Sequence, residues 1–198
     1  MSVNLEKGGR VDLQKTVPSL KKVRIGLGWS ENKFSTGTDY DLDVTAFLCK
    51  HDYAGNPKCI DDKHVIFYNN LVSPGGEVRH SGDNRTGAGA GDDETLFVDV
   101  EKVLATCDEV SFIITIHDAV TRKQNFGQIE KAYVKLYNDE DNSVIAQYDL
   151  AEKFSTETAV QVGSLYKNPE GRLGFKAVGQ GYNTGLADFC QGYGLEVK

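Results

Sequence analysis

Two short segments of this 198-residue chain collect the residue types that hold metal ions. The first runs from Asp39 to Asp43, DYDLD, with three acids and no base. The second runs from Ser81 to Glu94, SGDNRTGAGAGDDE, with four acids and one arginine. Together they hold six of the seven net negative charges, and the rest of the chain is close to neutral. A merely solvated surface spreads its charge, whereas this sequence concentrates it.

In the first segment Leu42, Val44, Ala46 and Leu48 alternate as the apolar face of a strand. Asp39, Asp41 and Asp43 therefore share the other face, with neighbours about 6.5 Å apart along the backbone. Like charges that close resist ionising side by side. A divalent cation removes the penalty, because short carboxylates can converge on one ion. In the second segment Asp83 and Asn84 precede a glycine-rich stretch, and Asp92, Asp93 and Glu94 follow it. Glycines let the backbone turn tightly and present carbonyl oxygens to a ligand. Asn69 and Asn70, after the apolar run His64 to Tyr68, offer further amide oxygens.

The donor set is all oxygen, which favours Ca²⁺ over zinc or copper; His80 only borders the loop. A roomy acidic loop also suits Ca²⁺ better than Mg²⁺. The EF-hand template fails. Counted from Asp83, Glu94 falls correctly, but Arg85 takes a ligand position and Ala88 the glycine position. Counted from Asp39, Val44 stands where glycine is required. A glycine loop can cradle phosphate, but the acids repel it and no Gly-Lys-Ser/Thr follows.

His117-Asp118 ends the apolar run Val110 to Ile116, and Asp118 is a further candidate ligand if the loops at that end lie together. Gly179 to Gly185 has the spacing GxGxxxG without a βαβ context and reads as a turn into a terminal helix. Asn138 to Asn142, NDEDN, reads as a hairpin tip. No nucleophile-elbow, zinc-protease or β-lactamase motif is present. A non-enzymatic role is the expectation. The rival is a metal-dependent enzyme acting on phosphate-containing substrates, with His80 or His117 as its base. The cysteines, Cys49, Cys59, Cys107 and Cys190, form no CxxC pair and read as free thiols. They provide only a thin basis for thiol-based detoxification.

The elements that must position these groups are short and mostly β. Val3, Leu5 and Lys7 face Val11, Leu13 and Lys15 across Gly8-Gly9, which predicts a hairpin. Val23 to Trp29, Leu42 to Leu48, His64 to Tyr68, Leu96 to Val100 and Gly171 to Val178 read as strands. Val110 to Ile116, apolar on both faces, reads as a central buried strand. Ala132 to Tyr137 and Ser143 to Leu150 form a hairpin. Short helices are expected at Val100–Thr106, Ala119–Phe126 and Gly185–Gln191. Strand spacings of about 8–12 residues predict one mainly all-β domain over residues 1–198, a β-sandwich of two antiparallel-rich sheets with short peripheral helices. The net charge of −7 disfavours a nucleic-acid partner. No apolar run approaches the ~20 residues of a membrane span. The N-terminus lacks a signal core, so a reducing cytoplasmic location is expected.

DYDLDVTAFL, HVIFYNNL, HSGDNRTGAGAGDDE, ITIHDA, FGQIEKAYVKLYN and AVGQGYNTGL, in this order, resemble the TerD family of tellurium-resistance and stress proteins. The resemblance spans essentially the whole chain. It implies a β-sandwich that binds calcium, commonly two ions, at acidic loops. It implies a link to tellurite resistance and to phage and colicin defence. It also implies partners among other proteins of the tellurite-resistance cluster, including a membrane protein. Asp39, Asp41, Asp43, Asn69, Asn70, Asp83, Asn84, Asp92, Asp93 and Glu94 stand at positions matching the family's motifs. Residues 50–63 match no family motif.

Overall fold

Alternation of apolar and polar residues dictates strands, and the computed structural model, which describes residues 3–32, 37–88, 91–150 and 154–197, arranges them in two sheets. In chain order the strands are β1 (Val3–Asn4), β2 (Arg10–Asp12), β3 (Lys22–Trp29), β4 (Leu42–His51), β5 (Pro57–Cys59), β6 (Val65–Ile66), β7 (Val78–His80), β8 (Glu94–Asp99), β9 (Glu109–Ile116), β10 (Ala132–Asn138), β11 (Val144–Asp149), β12 (Ala159–Lys167) and β13 (Leu173–Tyr182). One sheet has the order β1-β11-β10-β3-β8-β7. The other runs β2-β13-β12-β9-β4-β5, with β6 also paired to β4. All pairs are antiparallel except β1 with β11. The expected mainly β, two-sheet architecture is found.

The main core lies between the sheets. Ile25 and Leu27 of β3 and Leu96 and Val98 of β8 belong to it, as do Leu42, Val44, Ala46 and Leu48 of β4. A second apolar cluster covers the other face of β4 and β9. There Phe47, Cys49 and Ile113 pack with Phe189 of the helix α4 (Leu186–Gly192) and with Tyr193. (Three helices precede it: α1, Leu13–Thr16; α2, Val100–Thr106; α3, Ala119–Arg122.) Tyr193 stacks on Phe47 with ring centroids 4.5 Å apart. Burying a side chain such as Phe47 contributes roughly 1.5–3 kcal/mol. Two covered faces explain why Val110 to Ile116 is apolar throughout, and β9 is central, between β12 and β4.

The predicted N-terminal hairpin does not form. The chain does turn at Gly8, with φ at +81° and Gly9 N–H bonded to the Glu6 carbonyl. Its two arms then part, β1 to β11 and β2 to β13, in different sheets. Leu13 begins α1, capped by Asp12, whose carboxylate accepts the Lys15 N–H at 2.8 Å. The helix expected at Ala119–Phe126 is limited to α3, because Lys123 adopts a left-handed conformation (φ +53°) and ends it. The run His64 to Tyr68 contributes only β6, preceded by a 3₁₀ turn, Asp62–His64.

Candidate metal centre

Strand β4 delivers Asp43 and, just before its first residue, Asp41; both are buried. Asp43 is held in register against Thr115 of β9, and the Asp41 carbonyl accepts the His117 N–H at 2.8 Å. The loop after β7 brings in Asp83, which is exposed. One carboxylate oxygen from each of Asp41, Asp43 and Asp83 lies within 4.8 Å of the others. Arg122 of α3 reaches Asp41 Oδ2 at 3.3 Å, and the exposed Arg85 lies 3.8 Å from the same oxygen. These guanidiniums offset part of the repulsion and engage one edge of Asp41. Burial, with the charges of Glu94, Asp41 and Asp83, raises the Asp43 pKa to about 8. Without a cation this favours the protonated form of Asp43.

Glu94, the first residue of β8, lies beneath the cluster and is buried. Its Oε2 accepts the Val44 N–H at 2.8 Å, and its Oε1 accepts the Asn84 N–H at 3.4 Å. One carboxylate thus ties β8 of one sheet to β4 of the other and to the glycine-rich loop. His80 is buried beside it, with Nε2 3.5 Å from Glu94 Oε2. The Gly82 N–H donates to His80 Nδ1 at 3.0 Å, which leaves the ring proton on Nε2, facing Glu94. That Nε2 makes no regular hydrogen bond among the described residues. Burial raises the Glu94 pKa, against the lowering effect of His80.

The rest of the second segment is bound largely within the fold. Asp93 Oδ2 accepts the Trp29 N–H at 2.9 Å, and its Oδ1 accepts Asn84 Nδ2 at 3.1 Å. Desolvation raises the Asp93 pKa. Asn84 Oδ1 accepts the N–H groups of Thr86 and Gly87. Asp92 turns away onto the outer face of β3, where Tyr133 and Tyr137 donate to its Oδ1 at 3.2 and 3.1 Å. Its carboxylate occupies the space above Gly26 that any Cβ would fill. Residues 89 and 90, in the middle of the glycine stretch, lie outside the described residues.

The remaining candidates are distributed over the surrounding loops. Asp39 is exposed, and its carbonyl accepts Gln124 Nε2 at 3.2 Å. Asn69 is exposed in the turn closed between Phe67 and Asn70. The Asn70 side chain donates to the Lys63 and Val65 carbonyls. Asp118, with φ +51°, is exposed and lies 3.6 Å from His117 Nε2, whose Nδ1 is 3.7 Å from Asp43 Oδ2. A cavity of about 600 Å³ opens here, lined by Asp43, Tyr68, His117, Asp118 and the start of α4. Tyr68 packs edge-on to His117, and burial with four surrounding acids raises its pKa.

The fold thus gathers Asp41, Asp43 and Asp83 and sets Glu94 beneath them. It leaves Asp118 on the rim and directs Asp92 and Asp93 to other partners. Sequence reasoning did not find Arg122, which is far along the chain from Asp41, or the two tyrosines that capture Asp92. Convergent carboxylate oxygens, two of them desolvated, suit a hard divalent cation with oxygen ligands. The raised Asp43 pKa reflects burial first and the neighbouring acids second, and a bound cation would oppose both.

Comparison with known proteins agrees with this architecture. A model of the TerD domain matches residues 1–193. General stress protein 16U of Bacillus subtilis is 51% identical over 197 residues, covering 100% of both chains. Tellurium resistance protein TerD of Serratia marcescens is 49% identical over 198 residues, again covering 100% of both. The crystal structure of a homologue of a telluride resistance protein from Streptomyces coelicolor superimposes with a TM-score of 0.71 over 86% of this chain and 95% of that one. At 19% identity that likeness speaks for the fold alone.

Proposed function

The chain belongs to the TerD family, and from that premise we propose that it is a non-enzymatic stress-response module whose acidic centre binds calcium. The observation that carries this reading is the approach of the Asp41, Asp43 and Asp83 carboxylates to within 4.8 Å. Calcium there neutralises carboxylates that otherwise repel, displaces the Asp43 proton and ties the loop bearing Asp83 to β4. The names of the relatives, tellurium resistance and general stress, extend to this chain as a role in surviving such stresses. We place it in the cytoplasm, acting as a scaffold beside other proteins of the resistance cluster, one of them in the membrane, and not on nucleic acid. No helix among the described residues is long and apolar enough to cross a membrane.

Thermal melting of the full chain tests the reading. Calcium at about 100 times its Kd adds about 2.7 kcal/mol by mass action and raises Tm, with magnesium far less effective. An unchanged Tm across millimolar calcium contradicts it. The family resemblance implies two ions, and the stoichiometry of a titration distinguishes one from two.

One observation favours a second reading. His117 stands between Asp43 and Asp118 at the mouth of the cavity of about 600 Å³. A metal-dependent enzyme acting on phosphate-containing substrates would use such a histidine as a base. Metal-dependent hydrolysis of a phosphate ester that is lost in His117→Ala supports it. Absence of turnover in the wild type removes it.

A further inference from the structure

At the far end of β4 from the acidic centre, Cys49 lies directly opposite Cys59 of β5. The hydrogen bonds show which kind of pair this is. The Ile60 N–H donates to the Leu48 carbonyl, which makes the neighbouring pair the hydrogen-bonded one. The Cys59 N–H points away from β4, to the Tyr193 carbonyl at 3.0 Å. Cys49 and Cys59 are therefore a non-hydrogen-bonded pair, the closer of the two antiparallel arrangements, with Cα atoms typically about 4.5 Å apart. That separation lies within the range a disulfide spans, about 4.4–6.8 Å.

Directly opposed residues point to the same face of a sheet. Both cysteines belong to the second apolar cluster, under Phe189 and Tyr193. Both thiols are free; Cys49 Sγ donates to the Phe47 carbonyl at 3.4 Å and Cys59 Sγ to the Asp61 carbonyl at 3.3 Å. Strand β5 is a three-residue edge strand, paired with β4 on one side and tied on the other by the Cys59 N–H bond to the Tyr193 carbonyl.

We propose that Cys49 and Cys59 are an oxidant-responsive dithiol that closes to a cross-strand disulfide and locks β5 to β4. With hydrogen peroxide as oxidant, Cys59, the less buried of the two, reacts first. Its thiolate sulfur attacks one peroxide oxygen, the O–O bond breaks, hydroxide leaves, and a sulfenic acid remains. Cys49 sulfur then attacks the sulfenic sulfur, the S–S bond forms, the S–O bond breaks and water leaves. Two sulfurs are oxidised, one peroxide is reduced, and two waters result in all. Burial raises the pKa of both thiols, that of Cys59 to about 12, so closure is slow at neutral pH and faster in alkali.

Oxidation of the native full chain with hydrogen peroxide, followed by alkylation and non-reducing digestion, tests the proposal. The expected result is loss of two of the four free thiols and a peptide pair joined through Cys49 and Cys59. The link persists in Cys107→Ala and Cys190→Ala and is absent in Cys49→Ala. A link from Cys59 to Cys190, a link between two molecules, or Cys59 oxidised to sulfinic acid with Cys49 untouched overturns it. Peptide mapping of the wild type decides the matter even if Cys49→Ala does not fold.

Discussion

The Glu94 carboxylate accepts the backbone N–H of Val44 at 2.8 Å across the two sheets. This buried bond joins the end of the second acidic segment to the strand that begins within the first. A charged acceptor in such a bond contributes about 1.5–3 kcal/mol. Glu94→Ala should destabilise the fold by about 2–4 kcal/mol, because it strands the Val44 N–H and leaves His80 facing a void. The loss should be similar with calcium and with chelator. Urea melts under both conditions check it. A loss confined to the calcium-loaded protein would make Glu94 a ligand rather than a tie between sheets.

The proton on Asp43 predicts a pH dependence. Its folded pKa, about 8, lies above the unfolded value of 3.8. The folded state therefore binds more protons than the unfolded state between these values. Its contribution to stability is complete below about pH 4 and falls as pH rises to about 8, then levels off. For the calcium-free protein, Asp43→Asn should flatten this fall. Calcium binding should release protons at pH 7, and its apparent affinity should rise up to about pH 8. Titrations in two buffers of different ionisation enthalpy measure that release.

Trp29, the only tryptophan, reports on the glycine-rich loop. Its Nε1 donates to the Tyr40 carbonyl at 2.9 Å, next to Asp41. Gly87 sits against the indole with φ +68°, and a Cβ there would lie 2.5 Å from Nε1. Gly87→Ala should shift tryptophan emission and weaken the calcium response at least tenfold, with far-UV circular dichroism little changed. Emission spectra and a calcium titration of the variant check both effects.

Asp92 provides a contrast. Its carboxylate is held by Tyr133 and Tyr137 over Gly26. Gly26→Ala should therefore expel Asp92 and cost about 1–3 kcal/mol, as overpacking does. Asp92→Asn should leave calcium binding within about twofold of the wild type, because the residue faces away from the Asp41 cluster. Melts and titrations of the two variants separate anchoring from binding.

Much of this arrangement was legible in the chain, and the reasons are local. Leu42, Val44, Ala46 and Leu48 alternate with period two, which fixed the core face of β4 and put Asp41 and Asp43 together on the other. Residues 3 to 15 show the limit. Their alternation and glycine pair specify a turn, and the turn is present, but local pattern does not choose pairing partners. Those partners, Ala146 for Val3 and Phe175 for Val11, lie on strands far away in sequence. The same distance hid Arg122 from Asp41 and the two tyrosines from Asp92. Spacing grouped seven acids by charge; only the packed sheets decide which oxygens converge.

Calorimetric titration of calcium into the wild-type chain and into the double variant Asp41→Asn with Asp43→Asn shows whether these carboxylates hold the ion. The expected result is saturable binding by the wild type, with proton release, and its loss in a double variant that melts normally in chelator. Equal binding by both chains, or none by the wild type, would contradict it.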